Sequence, residues 1–180
     1  MIDLELQQRA AKIRLLLMDV DGVLTDGRLY NVPGPDGIVE TKSFNSQDGI
    51  ALQWLSWNGI QTGVISGRVS KAMEVRAEQV RMTYVYQGHI EKVPILEEII
   101  KRSGFELAEI AYAGDDLTDV PILRRAGLAF APADARPEVK RCAHYVTSAA
   151  GGAGAVREIA EILLQAQGYW DALLKKYEVE

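Results

Sequence analysis

The sequence predicts a three-layer, Rossmann-like α/β fold, in which a parallel sheet carries helices on both faces. Short apolar runs alternate with helical segments of roughly 10 to 15 residues, as in strands joined by crossover helices. Polar residues follow several of these runs, and ligands of such sheets bind beyond the carboxyl ends of the strands. We expect residues 1–180 to form one domain, because the alternation runs through most of the chain.

The predicted strands are short and apolar, and the predicted helices have apolar residues at helical spacing. The first strand, Leu15–Met18, follows a short leading helix over residues 3–12 and runs directly into two aspartates. The helix Asp48–Asn58 turns Trp54 inward and ends at Gly59. The later strands are Ile60–Ile65, Tyr84–Tyr86, Ile110–Ala113, Leu128–Phe130 and His144–Val146, and the later helices are Ser70–Val80, Glu91–Arg102, Leu117–Arg125 and Ala155–Gln167.

Residues 27–44 interrupt this alternation. Two strand-like runs, Arg28–Val32 and Ile38–Phe44, flank the turn-forming stretch Pro33–Gly37, which predicts a β-hairpin insertion after the first strand. At the other end of the chain, the charged residues 169–180 are expected to form a flexible tail. This tail is either a frayed end or an arm that reaches a neighbouring subunit.

Composition sets limits on function. The chain has 180 residues, 48% of them hydrophobic, which is enough for a full core. Its net charge of -5 and its lack of a basic run argue against nucleic acid as a partner. No stretch has the roughly 20 apolar residues of a membrane span, and the N-terminus lacks an apolar signal core. The single cysteine, Cys142, fits a reducing compartment, so we expect a cytoplasmic protein without a membrane partner.

Two aspartates at the end of the first strand, Asp19 and Asp21, point to a functional site. Residues two apart on a strand project from the same face, so these carboxylates would stand side by side. Like charges at that distance repel each other unless a cation lies between them or one of them carries a proton. The alternative is an ordinary turn, in which aspartate is common.

Three further polar residues follow other strands and would meet these aspartates at one edge of the sheet. Asp115 adds a carboxylate, so that the acids form an all-oxygen environment suited to Mg²⁺. Ser66 and Lys92 add a hydroxyl and an ammonium suited to a phosphoryl group. A metal-bound Asp19 could attack phosphorus, and Asp21 could protonate the leaving alkoxide and then deprotonate water. The chemistry predicted is phosphomonoester hydrolysis through an aspartyl phosphate.

These residues, in this order, resemble the four signature motifs of the haloacid dehalogenase superfamily. The motifs are Asp19-Val20-Asp21-Gly22-Val23-Leu24-Thr25-Asp26, Ser66, Lys92 and Gly114-Asp115-Asp116-Leu117-Thr118-Asp119. The resemblance implies that Asp19 is the nucleophile and Asp21 the acid/base, while Ser66 and Lys92 hold the phosphoryl group. It also implies that the Asp19 and Asp115 side chains and the Asp21 carbonyl bind Mg²⁺. Asp116 and Asp119 would either orient these ligands or join them.

The spacing of the motifs leaves no room for a cap domain. Only a hairpin follows the first motif, and only a helix and a strand separate the second motif from the third. Many members of the superfamily close their site with a cap, so a neighbouring subunit is the expected lid here. We therefore predict a homo-oligomer, assembled through the hairpin.

Within the superfamily, the chain is most similar to the capless 3-deoxy-D-manno-octulosonate 8-phosphate phosphatases of lipopolysaccharide precursor synthesis, which are tetramers. The similar residues are Phe44-Asn45-Ser46-Gln47-Asp48-Gly49, Ser66-Gly67-Arg68, Arg76, Tyr86-Gln87-Gly88 and Gly151-Gly152-Ala153-Gly154-Ala155-Val156-Arg157-Glu158. The resemblance implies Asp48, Gly67, Arg68 and Arg76 as substrate-binding residues, with both arginines available to pair with a carboxylate. For Asp48, capping of the helix that it precedes is an equal alternative.

Three other functions stay open at this point. Phosphatases of nine-carbon, sialic-type sugar acid 9-phosphates look similar but tend to have Glu where this chain has Arg68. A capless phosphatase could instead act on a macromolecule, because an open site admits bulky partners. The chain could also be a catalytically silent domain that binds sugar phosphates, although its complete set of motif residues argues against that.

Overall fold

A single parallel sheet organises residues 3–179, which a computed structural model describes. The strands are β1 (Leu15–Met18), β2 (Tyr30–Gly34), β3 (Gly37–Thr41), β4 (Gln61–Ile65), β5 (Tyr84–Tyr86), β6 (Ile110–Ala113), β7 (Leu128–Ala131) and β8 (Tyr145–Val146). Six of them form the sheet in the order β5-β4-β1-β6-β7-β8, and every neighbouring pair is parallel. The other two, β2 and β3, form a separate antiparallel hairpin.

Helices cover both faces of the sheet. They are α1 (Leu4–Ala10), α2 (Ser46–Trp57), α3 (Lys71–Gln79), α4 (Val93–Ser103), α5 (Val120–Leu123), α6 (Pro137–Lys140), α7 (Ala155–Ala166) and α8 (Trp170–Lys176), with short 3-10 helices at Leu107–Glu109 and Leu117–Asp119. Strand β1 is buried on both sides because its side chains alternate. Leu16 and Met18 pack with α1, α2, α3, α7 and α8, whereas Leu15 and Leu17 pack with α4, α5 and α6.

The predicted fold class is confirmed: the chain has a three-layer parallel sheet with a hairpin insertion. Between β1 and α2 there is only the hairpin, and between β4 and α4 there are only α3 and β5. Within residues 3–179 no cap domain is therefore inserted at either place. None of the helices in that range is long and apolar enough to cross a membrane.

Three local predictions differ from the structure. Helix α2 begins at Ser46 rather than Asp48, because the Asn45 side chain caps it by accepting from the Gln47 amide at 2.7 Å. The α-helical part of the predicted helix 117–125 covers only Val120–Leu123. Helix α5 begins at Val120, so Pro121 lies in its first turn, where a residue without an N–H group is tolerated.

The segment expected to be a flexible tail instead contains helix α8, which packs against the domain. Leu173 is buried in the same core as α2 and α7. The Trp54 indole donates a hydrogen bond to the Tyr177 hydroxyl at 3.1 Å, and the Trp170 ring meets Trp54 edge-on. Burial of Leu173 and the contacts with Trp54 thus hold helix α8 against the rest of the domain.

Candidate active site

The carboxyl edge of the sheet carries a cavity of about 360 Å³ where the predicted residues meet. The strand register explains the meeting: Met18 at the end of β1 lies beside Val64 of β4 and Ala113 of β6. The residues that follow these strands therefore reach one edge together. The cavity is lined by Asp19, Asp21, Gly27, Ser66, Gly67, Arg68, Ile90, Lys92, Asp115, Asp116 and Thr118.

Lys92 connects two of the carboxylates. Its ammonium lies 3.0 Å from Asp19 Oδ1 and 2.7 Å from Asp119 Oδ1, and it donates a longer hydrogen bond of 3.3 Å to the Tyr112 hydroxyl. The Lys92 side chain is only 2% exposed. Burial alone would lower the pKa of Lys92, but the two carboxylates outweigh it and raise the pKa above its ordinary value. The ammonium therefore stays charged at neutral pH.

Asp119 lies fully buried beneath the cavity, with both oxygens hydrogen-bonded. Oδ1 accepts from Lys92 and from the Tyr112 hydroxyl, and Oδ2 accepts from the backbone amides of Asp115 and Asp116 at 3.0 and 3.2 Å. These bonds fix the turn that presents Asp115 to the cavity. They also occupy the lone pairs of Asp119, so its position favours an orienting role over direct binding of a metal.

Lys92 supplies one positive charge to the three carboxylates of Asp19, Asp115 and Asp119, so these three acids keep a net negative charge that a bound cation would offset. Carboxylate oxygens of Asp19, Asp115 and Asp119 lie within 4.8 Å of one another. Burial and the neighbouring carboxylates raise the pKa of Asp115 to about 8, and burial and Asp119 raise the pKa of Asp19 to about 6. Asp115 Oδ1 is buried and has no hydrogen-bond partner within residues 3–179. This oxygen-only set fits Mg²⁺.

Magnesium is expected to stabilise the protein more at alkaline than at acid pH. In the unfolded chain Asp115 has the ordinary aspartate pKa of 3.8, whereas in the metal-free folded chain its pKa is about 8. The free energy of unfolding of the metal-free protein therefore falls as the pH rises between those two values. Mg²⁺ binds the deprotonated form and reverses this loss. Its stabilisation should therefore shrink by about 1.4 kcal/mol for each pH unit below about 8.

Thermal unfolding in MgCl₂ and in EDTA, measured from pH 6 to pH 8.5, checks this expectation. Asp115→Asn is the matched control, because it removes the titrating group with little change of shape. A gain from Mg²⁺ that is the same at both ends of the pH range would contradict the assignment of the cation to these carboxylates.

Glycines let three loops approach one another around the acids. Gly22 has a φ of +89°, and a Cβ there would lie 2.1 Å from Asp115 Oδ2. A Cβ on Gly151 would lie 1.9 Å from the Gly22 carbonyl oxygen, and Gly152 donates its amide to the Val23 carbonyl at 3.0 Å. The glycine-rich segment before α7 therefore packs directly on the loop after β1.

Arg68 stands at the rim of the cavity, beside Gly67. Its guanidinium pairs with Glu40 on β3, and its side chain is still 48% exposed. The Ser66 hydroxyl, in contrast, is buried and accepts a hydrogen bond from the Arg68 amide at 3.2 Å. The second motif thus places a small hydroxyl inside the cavity and a cation at its entrance.

The structure does not bring Asp48 or Arg76 into this cavity. Asp48 is buried, and its Oδ1 accepts from the Arg157 amide at 2.7 Å, at the start of α7. Helix α7 has no cap from its own residue Gly154, so Asp48 caps it from α2. The expectation that Asp48 caps the helix it precedes was wrong, because Asn45 caps α2 and Asp48 caps α7 instead. Arg76 donates to the Asn45 carbonyl at 3.0 Å and lines a separate groove with Lys42 and Phe44.

Replacing Asp48 should affect stability rather than turnover. Asp48→Ala removes a cap between two helices and is expected to lower the free energy of unfolding by about 2 kcal/mol. Denaturant unfolding measures this change, while kcat/KM corrected for the folded fraction should stay within about threefold of wild type. A large loss of kcat/KM at unchanged stability would instead place Asp48 in substrate binding.

Two residues at the site escaped the sequence analysis. Lys42, directly after β3, buries its ammonium 2.5 Å from Asp21 Oδ1. Tyr112 donates its hydroxyl to Asp119 at 2.7 Å from within a strand whose other residues are all apolar. Only the polar hydroxyl in that apolar run could have drawn attention to Tyr112. For Lys42 there was no local signal, because its position depends on where the hairpin folds.

Comparisons with known proteins agree with this geometry. Residues 65–159 match the family described as haloacid dehalogenase-like hydrolase. The chain is 43% identical over 160 residues to the 3-deoxy-D-manno-octulosonate 8-phosphate phosphatase KdsC of Yersinia pestis, covering 89% of this chain and 84% of that protein. It is 41% identical over 163 residues to KdsC of Escherichia coli K12, covering 91% and 85%.

Solved structures show the same similarity. The phosphatase of this name from Moraxella catarrhalis, in complex with a magnesium ion, a phosphate ion and KDO, superposes with a TM-score of 0.91 at 38% identity and covers 96% of this chain and 98% of that one. A probable yrbi family phosphatase from Pseudomonas syringae gives 0.92 at 41% identity, covering 97% and 98%. The chain therefore belongs to the haloacid dehalogenase-like hydrolases and, within them, to the family of 3-deoxy-D-manno-octulosonate 8-phosphate phosphatases.

Proposed function

We propose that this protein is a Mg²⁺-dependent phosphoric monoester hydrolase that converts 3-deoxy-D-manno-octulosonate 8-phosphate to the free sugar acid and phosphate, in lipopolysaccharide precursor synthesis. The observation that carries the proposal is the arrangement of Asp19, Lys92 and Asp115 at one strand edge. A carboxylate, a buried ammonium and a second carboxylate face the same small cavity there. This charge pattern suits a phosphoryl group that arrives with a cation.

The residues divide the reaction into two displacements. Asp19 attacks phosphorus, forming a carboxylate oxygen to phosphorus bond, while the bond from phosphorus to the sugar oxygen breaks and Asp21 gives that oxygen its proton. Asp21 then takes a proton from water, whose oxygen attacks the aspartyl phosphate and frees Asp19 and phosphate. Lys92 and the Ser66 hydroxyl bind the phosphoryl oxygens. Mg²⁺, held by the Asp19 and Asp115 carboxylates and the Asp21 carbonyl, supplies charge neutralisation when bound.

The sugar acid also needs partners for its carboxylate. Arg68 at the cavity rim is the first candidate, since a guanidinium binds a carboxylate through two parallel hydrogen bonds. Arg76 is a second candidate for the far end of the substrate. Its groove adjoins the cavity, because Lys42 lines that groove and also contacts Asp21.

A screen of phosphorylated metabolites tests the proposal. Purified protein with Mg²⁺ is offered eight-carbon and nine-carbon ulosonate phosphates beside other sugar phosphates, with EDTA as the control. We expect the highest kcat/KM on the eight-carbon acid. A preference for the nine-carbon acid would move the assignment to the sialic-type phosphatases, and comparable rates on all substrates would remove the narrow specificity.

We further propose that the protein forms a cytoplasmic homotetramer in which a neighbouring subunit closes the site. The hairpin supports this arrangement, because it leaves Ile38 72% and Val39 47% exposed and stands apart from the sheet. Light scattering of wild type and Ile38→Asp measures the assembly. A monomeric wild type with an open site would favour action on a macromolecule instead.

A further inference from the structure

We infer that Lys42 is a positioning residue for the reaction, which holds the carboxylate of Asp21 in place from the hairpin. This inference rests on the proposed function, because it concerns the acid/base step of that reaction. Lys42 follows β3 directly and lies outside every motif of the site. Its contact with Asp21 joins the hairpin to the loop after β1.

The burial of Lys42 shows that its contacts fix its position. The side chain is 2% exposed, and an ammonium removed from water is destabilising unless it is paired. Its pairs are Asp21 at 2.5 Å and Glu40 at 3.6 Å. Glu40 pairs in turn with Arg68 at the cavity rim. A chain of alternating charges thus runs from the cavity entrance to the acid/base.

Asp21 depends on this contact for its orientation. Within residues 3–179, Lys42 is the only hydrogen-bond donor to the Asp21 carboxylate, and it binds Oδ1. Oδ2 is left to exchange a proton with the substrate oxygen and then with water. General acid catalysis depends on hydrogen-bonding geometry at the reacting oxygen, so a carboxylate that can rotate freely loses much of its effect.

The basicity of the leaving group distinguishes a lysine that positions Asp21 from a lysine that contacts the sugar of the substrate. A nitrophenolate leaves as a stable anion and gains little from a general acid, whereas the more basic phenolate and methoxyphenolate gain much more. The three aryl phosphates have similar shapes and no sugar. Loss of a sugar contact therefore cannot change their relative rates, but loss of acid positioning must.

The experiment compares kcat/KM of the full-length wild type and Lys42→Met on p-nitrophenyl, phenyl and p-methoxyphenyl phosphate. This parameter covers only the steps up to release of the alcohol. We expect p-nitrophenyl phosphate to change by less than about threefold and phenyl phosphate to fall by about 30-fold or more, so that the rates depend more steeply on leaving-group basicity.

Asp21→Asn should make kcat/KM depend on leaving-group basicity as steeply as Lys42→Met does. The double variant should show no steeper dependence than Asp21→Asn alone, because the two residues act on one step. Lys42→Gln keeps a neutral hydrogen-bond donor, so the steepness of its dependence on leaving-group basicity should lie between those of wild type and Lys42→Met. This variant provides the test if Lys42→Met fails to fold. Lys101→Met is the matched control, since Lys101 is exposed in the last turn of α4, which begins next to Lys92 at the cavity.

Equal losses on all three aryl phosphates, or no loss at all, would overturn the positioning role while leaving the phosphatase assignment intact. The positioning role would also be overturned if the effects of Lys42→Met and Asp21→Asn on the dependence on leaving-group basicity added fully in the double variant. A wild type that hydrolyses neither the aryl phosphates nor the sugar acid phosphate would overturn the proposed function and this inference together.

Discussion

Asp19→Asn is expected to reduce phosphatase activity by at least about 10³-fold while the protein keeps its fold and still binds substrate. The carboxylate is the proposed nucleophile, and the amide is nearly the same size but a poor nucleophile toward phosphorus. Substrate affinity should change little, since Lys92, Ser66 and the arginines are left in place. The measurements are single-turnover hydrolysis of the sugar acid phosphate and equilibrium binding of the same compound.

The structure also predicts what happens to stability in this variant. Asp19 is buried, and burial and Asp119 raise its pKa to about 6, so its charge is unfavourable without a cation. Removing that charge should leave the free energy of unfolding in EDTA unchanged or slightly higher. Activity within tenfold of wild type would mean that the nucleophile lies elsewhere, and a silent sugar-phosphate domain would show no activity in the wild type either.

Lys92→Met should damage both activity and stability. The variant removes the ammonium that lies 3.0 Å from Asp19 and 2.7 Å from Asp119, and it leaves two buried carboxylates unpaired. Breaking such a buried pair typically destabilises a protein by about 3 to 5 kcal/mol. Loss of the phosphoryl contact should lower kcat by about 10² to 10³-fold. Denaturant unfolding and steady-state kinetics with saturating Mg²⁺ measure the two effects separately.

Tyr112→Phe provides the contrast. It removes one hydroxyl that touches Asp119 and Lys92 but keeps both charges of the pair, so kcat should fall by no more than about tenfold. If Lys92→Met proved as mild as Tyr112→Phe, Lys92 would not be bound to the transferring phosphoryl group. A loss of stability without any loss of kcat would give Lys92 a purely structural role.

The principal residues of the candidate site could be predicted because each follows a strand with a strong local pattern. Asp19 and Ser66 come directly after apolar strands, Asp115 is separated from its strand by Gly114 alone, and Lys92 immediately precedes the helix α4. Parallel strands bring their carboxyl ends to one edge, so local patterns were sufficient to bring these residues together. The same rule predicted the fold class and the hairpin as an insertion outside the sheet.

The contacts of Asp48 and Lys42 could not be predicted from local sequence patterns. The partner of Asp48 is Arg157, 109 residues away, and the partner of Lys42 is Asp21 on the far side of the hairpin turn. Neither contact has a repeating pattern in the sequence, because each depends on the angle at which two separately predicted elements pack. A carboxylate three residues into a helix looks the same whether it faces a ligand or caps a neighbouring helix.

The sequence by itself determined the parallel sheet, its carboxyl edge and the four motif residues gathered there, since strand periodicity and turn chemistry are local properties. Only the tertiary structure decided that Asp119 is saturated by hydrogen bonds, that helix α8 packs on the core, and that Lys42 of the hairpin segment contacts Asp21. The physical reason is that burial and pairing energies belong to contacts between distant segments, which exist only after the chain has folded.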